Sequence, residues 1–387
     1  MPQAESNRVS LHIVEEGSYD ETPATPTMAE LPYTSESLAY EKRTVRSNIV
    51  RSDRLTDDVI EVGAGSGGEI NIEYKFGDFD VLILAALAAA SWSSATYTGS
   101  GGDLDIAASS GGTQVLTAPA GTWDNFVVGA YVRVSGADAA NNGVFKITAK
   151  TSTTLTIDNS AGTLQANADG AVVLQKMART GTTKKSVLIE KSFNDIAQYL
   201  HFRGMRVGSW AMAIETEQII TGSFGFMGSR AVLQQSTISG SKTAAGSLSV
   251  CSATANIGRV LEGGSTLATQ IKAVRFNLNA NPRSLTAVKN KYPIGVNLGS
   301  FDIAGTIEAY FEDETLYDKM VDHTDSSLVL EIDSPEDDRT IITIPNLKFT
   351  NAAPVGAGLN QDCMASLDFT AKAHAGTSAM LQVDLLT

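Results

Sequence analysis

The sequence has few of the residues that build disulfide frameworks, metal sites or membrane spans. Its 2 cysteines, Cys251 and Cys363, are far apart, so a disulfide framework is excluded and a reducing compartment is expected. The 4 histidines are scattered without ligand spacing, which argues against a metal site. The one strongly apolar run, Val81–Ala90, is about half as long as a membrane span. We expect no cofactor, no metal and no membrane insertion.

Basic residues are also scarce. The chain of 387 residues holds 29 Lys and Arg against 43 Asp and Glu, a formal net charge of −14. Residues 301–340 alone contain 13 acids against Lys319 and Arg339. A protein that grips nucleic acid neutralises phosphates with clustered Lys and Arg. The charge argues against such binding, but it does not exclude a protein that lets DNA pass.

Catalytic spacings are missing as well. No serine lies in a GxSxG elbow, and neither cysteine has a histidine nearby in sequence. GAGSGG at 63–68 lacks the Lys of a phosphate-binding loop and precedes a predicted strand, so it is interpreted as a turn. The acidic clusters at 312–314 and 336–338 lack the spacing of a calcium loop. We therefore predict that the protein is not an enzyme.

The clearest pattern that is present lies in Gly68–Ala90. Apolar residues alternate with polar ones from Ile70 onward, which is typical of a half-buried strand. The apolar run that follows predicts a helix, with Asp78 as its N-cap. The acids of this strand, Glu69 and Glu73, fall on its polar face.

A second copy of this pattern occurs at Gly305–Met320. Aligning Gly68 with Gly305 keeps the apolar residues of both strands in phase, which indicates a short internal duplication. The strand core candidates are Ile70, Ile72, Tyr74, Ile307 and Phe311. The polar-face candidates are Glu69, Glu73, Glu308 and Glu312.

Composition divides the chain and indicates a mainly β protein, because 34 glycines and 43% hydrophobic residues accompany only 19% charged residues. The fold class is β-rich α+β, with a duplicated β-sandwich or barrel unit and short helices. The expected organisation is an extended N-terminal arm at 1–37, a discontinuous first unit at 38–94 and 177–230, an insertion at 95–176, a linker at 231–269 and a second unit at 270–387.

The insertion is marked by an abrupt change of composition. No Glu occurs between Glu73 and Glu190, and Gly, Ala, Ser, Thr and Asp dominate 95–176. Short strands spaced about ten residues apart predict a small β-sandwich or barrel. We expect strands at Thr113–Leu116, Tyr131–Ser135, Gly143–Lys150, Thr154–Ile157 and Ala171–Leu174. Further on, the turn residues Ser334–Asp338 predict a hairpin.

Four segments give the chain a family resemblance: LPYTSESLAYEKRTVRSNIVRSDR (31–54), GEINIEYKFGDFDVLILAAL (68–87), ETEQIITGSFGFMG (215–228) and FDIAGTIEAYFEDETLYDKM (301–320). In this order they resemble the tail tube proteins of bacteriophages with long, non-contractile tails. The resemblance implies a structural virion protein that forms stacked rings around a channel, with an arm or loop reaching the next ring. It also implies a tape-measure protein, a tail terminator and a tail tip protein as partners, with assembly in the host bacterial cytoplasm.

An acidic lumen fits this function, since it repels the phosphates of double-stranded DNA in transit. Glu69, Glu73, Glu308 and Glu312 are the lumen candidates, and an outer solvated face is the alternative for them. Two repeats per chain favour a ring of three chains with pseudo-sixfold symmetry over a hexamer. The alternative functions are a β-rich adhesin or decoration protein that binds a host receptor or glycan, and a glycoside hydrolase with paired carboxylates. Electron microscopy distinguishes these alternatives.

Overall fold

The structure is a computed structural model. It describes residues 3–99, 103–107, 112–135, 142–158, 167–168, 172–238, 240–267, 269–312, 314–334, 338–356 and 358–386.

The described chain is mainly β, as predicted, with two helices of seven residues each. After a 3₁₀ turn at Ser6–Arg8 come β1 (Val9–Glu15), β2 (Thr27–Glu30), β3 (Ser35–Glu36), β4 (Ala39–Arg46), β5 (Val59–Glu73) and α1 (Asp80–Ala86). Next come β6 (Ser93–Thr98), β7 (Asp105–Ile106), β8 (Thr113–Thr117), β9 (Tyr131–Ser135), β10 (Gly143–Lys150), β11 (Thr154–Asp158), β12 (Asn167–Ala168) and β13 (Val172–Arg179). They are followed by β14 (Val187–Phe193), β15 (Gln198–Glu215), β16 (Thr221–Gly228), β17 (Arg230–Gln234), β18 (Ser241–Thr243), β19 (Ile257–Glu262) and β20 (Ser265–Thr266). The last elements are β21 (Ile271–Asn279), β22 (Arg283–Leu285), β23 (Gly295–Asn297), β24 (Asp302–Tyr310), α2 (Thr315–Val321), β25 (Ser326–Asp333), β26 (Arg339–Gly356), β27 (Cys363–Ala371) and β28 (Gln382–Leu386).

A central antiparallel sheet joins the two halves of the chain. Its order is β4–β5–β16–β15–β21–β24–β27–β26, with β3 continuing the edge beside β4. The first halves of β15 and β26 leave this sheet for an outer layer. There β15 pairs with β14 and β17, and β26 pairs with β25 and β28.

The internal duplication is confirmed by this topology. A first unit of β1, β3–β5, α1 and β14–β17 matches a second unit of β19, β21, β24, α2 and β25–β28, element by element and in the same chain order. Both long strands, β15 and β26, have 18 residues. Each has a register shift at the equivalent place, between Val207 and Ser209 and between Phe349 and Asn351. The sequence showed only β5 and α1 of the first unit and β24 and α2 of the second.

The main core lies between the central sheet and the outer layer. The inward side chains of the sheet include Ile70, Trp210 and Phe276, and helix α1 packs Leu82 and Ile83 among them. Burial of such side chains stabilises the fold by about 1.5–3 kcal/mol each. Asp78, the expected N-cap of α1, instead accepts a hydrogen bond from the Gly246 amide at 2.8 Å, and Phe79 occupies the N-cap position without a side-chain cap.

The insertion runs from β6 to β13 and has its own apolar core, which includes Trp123 and Phe126. Its strands follow the order β6–β13–β9–β10–β11–β8–β7–β12. Strands β9 and β10 have the bounds expected from sequence; Ala171 lies outside the described residues. The insertion also joins the second unit, since β13 pairs with β28 and Tyr131 packs against Ile341 and Leu386.

Two expected segments differ from the structure. Residues 1–37 are not a free arm, because β1 pairs with β14 and β2 pairs with β1 and β18. The expected linker 231–269 contributes β18, β19 and β20. It is held by Glu190, whose buried carboxylate accepts hydrogen bonds from Lys242 Nζ (2.6 Å) and the Ile238 amide (2.7 Å). Burial by itself raises the pKa of Glu190, but the hydrogen bonds and ion pairs hold it well below its usual range.

The segment that does project is the hairpin of β4 and β5, with residues 47–58 at its tip. All eight residues of β4 and the first four of β5 are exposed. GAGSGG at 63–68, expected to be a turn, lies inside β5. The expected hairpin at 334–338 is present, since Asp333 pairs with Arg339; residues 335–337 lie outside the described part.

Candidate functional site on the polar face of the central sheet

The central sheet has one face packed on the core and one polar face. On β5, Ile70, Ile72 and the following Tyr74 are buried, while Glu69 is exposed and Glu73 is half-buried. The same alternation on β24 buries Ile307. It leaves Glu308 half-buried on the polar face.

Two of the predicted residues lie beyond the sheet. Strand β24 ends at Tyr310, so Phe311 and Glu312 follow it in a connection to α2. Phe311 is 42% exposed, and its prediction as a core residue is wrong. Its side chain is uncovered because the chain leaves the sheet before the helix can cover it. The Glu312 carboxylate is exposed and accepts a long hydrogen bond, 3.4 Å, from the Gln270 amide.

The polar face carries an open depression of about 730 Å³ that crosses seven strands, from β5 to β26. Its lining is mostly small or polar, including Asn71, Ser223, Asn277, Thr306 and Thr370. A second depression on the same face is lined by Glu69, Ser209 and Asn279. Because strands from both units line these depressions, the polar face is one surface shared by the repeats.

Arg275 links the two units on this face. Its guanidinium donates to Glu215 Oε1 at 2.8 Å and to Glu308 Oε1 at 2.6 Å. The hydrogen bonds that Arg275 donates to these carboxylates, to Glu215 first, raise the pKa of Arg275 above its usual value. Its positive charge is thereby neutralised within the sheet, so acids dominate the remaining charge of the polar face. Nearby, Asp368 accepts a hydrogen bond from Thr306 Oγ1 at 2.9 Å.

Two equivalent glycines allow a neighbouring strand to approach closely at the start of each sequence repeat. A Cβ on Gly68 would lie 2.5 Å from the Ser37 carbonyl oxygen, and one on Gly305 would lie 2.3 Å from the Arg275 carbonyl oxygen. Ser37 and Arg275 occupy equivalent positions on β3–β4 and β21. The glycines aligned in the sequence therefore share one physical role, the close approach of a neighbouring strand.

Both ends of the central sheet expose apolar side chains. At the hairpin end are Val45, Ile49, Val50, Leu55, Val59, Ile60 and Val62, with Leu285, Val288 and Ile294 from the loop between β21 and β24. At the opposite end are Ile219, Tyr310, Phe311 and Leu359. The loop contacts the hairpin base, where Lys291 Nζ lies 2.9 Å from Glu61 Oε1. Clusters of exposed apolar groups such as these are typical of surfaces that contact other molecules.

In the described ranges, no group of three His, Cys, Asp and Glu side chains is placed to hold a metal ion. Across the same residues, neither helix is long and apolar enough to cross a membrane. Cys251 is buried, and Cys363 is exposed.

Sequence reasoning missed Arg275, Glu215 and the hairpin. Arg275 and Glu215 lie on strands that pair across 60 residues of chain, and no local spacing signals such a contact. The hairpin is exposed on both faces, so it lacks the alternation that reveals a half-buried strand. The mixed charges and short β-like runs of 38–62 were its only signal.

A family model described as phage tail tube protein matches residues 6–371, nearly the whole chain. Among curated proteins, no match is found.

Proposed function

The chain belongs to the phage tail tube protein family, and from this premise we propose that its copies close into stacked rings whose inner wall is the polar face of the central sheet. Membership of this structural family also makes the protein a component of the virion tail. The proposal concerns which surface lines the channel, how many chains form a ring and how rings stack.

The observation that carries the proposal is the single sheet through both units. Strands β15 and β21 pair over seven residues, from Ser209 with Asn279 to Glu215 with Ala273. The two units of one chain therefore stand side by side with their polar faces on the same side. Continuing this arrangement through three chains gives six units around a channel, with no sheet edge left exposed. Three chains per ring is the arrangement that the duplication supports.

The electrostatics of the polar face suit DNA passage. Glu69 and Glu73 lie on the same face of β5, on either side of Asn71, and Glu215 and Glu308 outnumber Arg275. A wall of carboxylates repels phosphates, whereas each neutralised phosphate adds affinity that slows transit. Glu312 lies at the end of the sheet and would line the rim between rings.

The exposed ends of the sheet provide the stacking surfaces. A hairpin that buries neither of its faces is marginally stable alone. The β4–β5 hairpin is therefore proposed to lie against the next ring, where the opposite end presents Tyr310, Phe311 and Leu359. A heterologous contact of this kind repeats without closing along the tube axis, as a tube requires.

The insertion is proposed to lie on the tube exterior. It joins the outer layer through β28, on the side of the sheet away from the polar face. The proposed partners are further copies of this chain, a tape-measure protein inside the tube during assembly, and terminator and tail tip proteins at its ends. Assembly is proposed in the host cytoplasm before the tail joins the virion.

Electron microscopy of purified protein, with and without tape-measure protein, tests the proposal. We expect tubes whose cross-section shows three chains per ring and a central hole. The variant E69K/E73K should still form tubes but retain double-stranded DNA more strongly than the unmodified protein. The control E21K, at an exposed position elsewhere, should form tubes that retain DNA as the unmodified protein does. Monomers at high concentration would contradict the ring, and six whole chains per ring would contradict the trimer. Equal DNA retention by all three proteins would contradict the electrostatic account.

A further inference from the structure

We infer that the seam between neighbouring chains is a β-pairing of the end of β26, Asn351–Gly356, with the edge formed by β3 and β4, Ser35–Glu41, of a second copy. The inference rests on the proposed function. It specifies which edges meet and in which register, and the partner is another molecule of this chain.

The template for the seam lies inside each chain. The two units join where the second half of β15 pairs with β21. Strand β26 is the equivalent of β15 in the second unit, and β3–β4 is the equivalent of β21 in the first. If every joint in the ring is alike, the second half of β26 must pair with β3–β4 of the next chain.

Both edges are available for this contact. Residues 351–356 of β26 pair with β27 on one side, and β3–β4 pairs with β5 on one side. No further strand pairs with either segment within the described part of the chain. Free edges of this length invite the addition of another strand.

The register follows from the shared positions of the two units. Gly68 and Gly305 are equivalent, and pairing with β5 and β24 then makes Glu41 equivalent to Asn279 and Tyr40 to Leu278. The matched register shifts make Asn351 equivalent to Ser209 and Ala352 to Trp210. Since Ser209 faces Asn279 and Trp210 faces Leu278, the seam places Asn351 opposite Glu41 and Ala352 opposite Tyr40.

The side chains at these positions fit the pairing. The internal joint sets a large Trp210 against Leu278, whereas the seam sets a small Ala352 against a large Tyr40. Tyr40 is 37% exposed in the single chain, while Leu278 is fully buried. A neighbouring chain would therefore cover Tyr40.

Within Asn351–Gly356, Pro354 is the one residue that has no backbone N–H to donate across a paired edge. The register places it opposite Leu38. The Leu38 N–H is already donated to Glu36 Oε2 at 2.8 Å. Neither residue has a backbone N–H left for the seam, so pairing there leaves no donor unsatisfied.

The seam lacks one feature of the internal joint. Ser37 stands where β21 carries Arg275, so no guanidinium bridges two carboxylates across it. Backbone pairing and the covering of Tyr40 are its main contacts. The two kinds of joint alternate around the ring.

Disulfide cross-linking tests the register. In a C363S background, which removes the exposed native thiol, the variant N351C/E41C places one thiol on each side of the seam. Both positions are exposed in the single chain. Oxidised tubes should give covalent dimers and trimers on a non-reducing gel, with no larger product. The matched control N351C/V45C moves one thiol four residues along β4, roughly 13 Å away, and should give at least tenfold less cross-linked product.

The outcomes separate the seam from the ring. If tubes form but the control pair cross-links as well as the test pair, or if neither pair cross-links, the proposed register is wrong. Either result leaves the proposed tube intact. Absence of rings in the unmodified protein overturns the proposed function instead. If the cysteine variants fail to assemble, hydrogen exchange of unmodified subunits and tubes decides: amides of the two edge segments should become protected on assembly, and unchanged exchange there overturns the seam.

Discussion

Gly305 shows how a single residue limits the approach of two strands. A Cβ at this position would overlap the Arg275 carbonyl oxygen and also the Phe369 ring, at 2.3 and 2.4 Å. Overpacking of this kind costs about 1–3 kcal/mol. We expect Gly305→Ala to lower the free energy of unfolding by that amount, measured by urea denaturation of unassembled subunits. Gly17→Ala is the control, since nothing lies within 4 Å of its added Cβ. Equal effects of the two substitutions would contradict the close-approach argument.

Asp384 makes stability depend on pH. Its buried carboxyl accepts hydrogen bonds from the Tyr131 amide (3.1 Å) and from Gln382 Nε2 (2.7 Å). Burial raises the pKa of Asp384 to about 7. Between about pH 4 and 7 the folded chain therefore retains a proton that the unfolded chain releases. The contribution of this group to stability falls as pH rises through that window.

The variant Asp384→Asn tests this dependence because it stays neutral. Relative to the unmodified protein, its free energy of unfolding should rise as the pH is raised from 5 to 8. Denaturant midpoints at several pH values measure the difference. Glu21→Gln, at an exposed position, should show no such trend, and a flat difference for Asp384→Asn would refute the buried-acid account.

At the scale of elements, the β4–β5 hairpin should decide stacking without contributing to subunit stability. Ile49 and Val50 at its tip are 64% and 96% exposed, so replacing them costs the single chain little. We expect I49D/V50D to form rings but not long tubes, as seen by electron microscopy, with an unchanged unfolding midpoint.

Val128→Asp is the control for that experiment, because Val128 is an exposed apolar residue of the insertion. It should form tubes of normal length. Normal tubes from I49D/V50D would show that the hairpin tip is not a stacking contact.

Elements were predictable where one face is buried and the partner is near in sequence. The alternation at Ile70 and Ile72 predicted strand β5. Aligning Gly68 with Gly305 then predicted the equivalent strand, β24. The bounds of β9 and β10 were predicted correctly because residues that favour turns flank both strands in the sequence. Pro23, Pro26 and Pro32 made the N-terminal region resemble an extended arm, yet β2 forms between Pro26 and Pro32 and pairs with β1 and β18, while β1 pairs with β14.

The remaining features depend on long-range pairing. Phe311 continues the alternation in sequence, but β24 ends one residue earlier, at Tyr310. Equivalence of β15 and β26 leaves no trace in composition, because one is rich in large apolar residues and the other in small ones near its end. The equivalence is visible only in the matching strands that pair with β15 and β26 and in the matching positions of their register shifts.

At the scale of the whole molecule, the insertion should be removable. Strands β6 and β13 pair at Ser93 and Met177, so the chain enters and leaves side by side. Deleting 95–176 and joining the ends with a short Gly/Ser linker should preserve tubes, with the outer density lost in cross-section. Their thermal midpoint should be lower, because Val329, Ile341 and Leu386 lose their apolar cover. Failure to assemble would place the insertion in the ring contact.

If the chains close into the proposed ring, the joint of β15 with β21 should change the kinetics of ring formation. Six independent units would have to meet through successive collisions, each losing translational and rotational freedom. Here half of the neighbours are already tethered by the polypeptide, so the second unit meets the first at an effective concentration in roughly the millimolar range, set by the connecting chain. Nucleation should then follow about the third power of protein concentration rather than the sixth, which a dilution series monitored by light scattering would measure. A tethered pair of units lets a tail begin to grow while its subunit is still scarce in the infected cell.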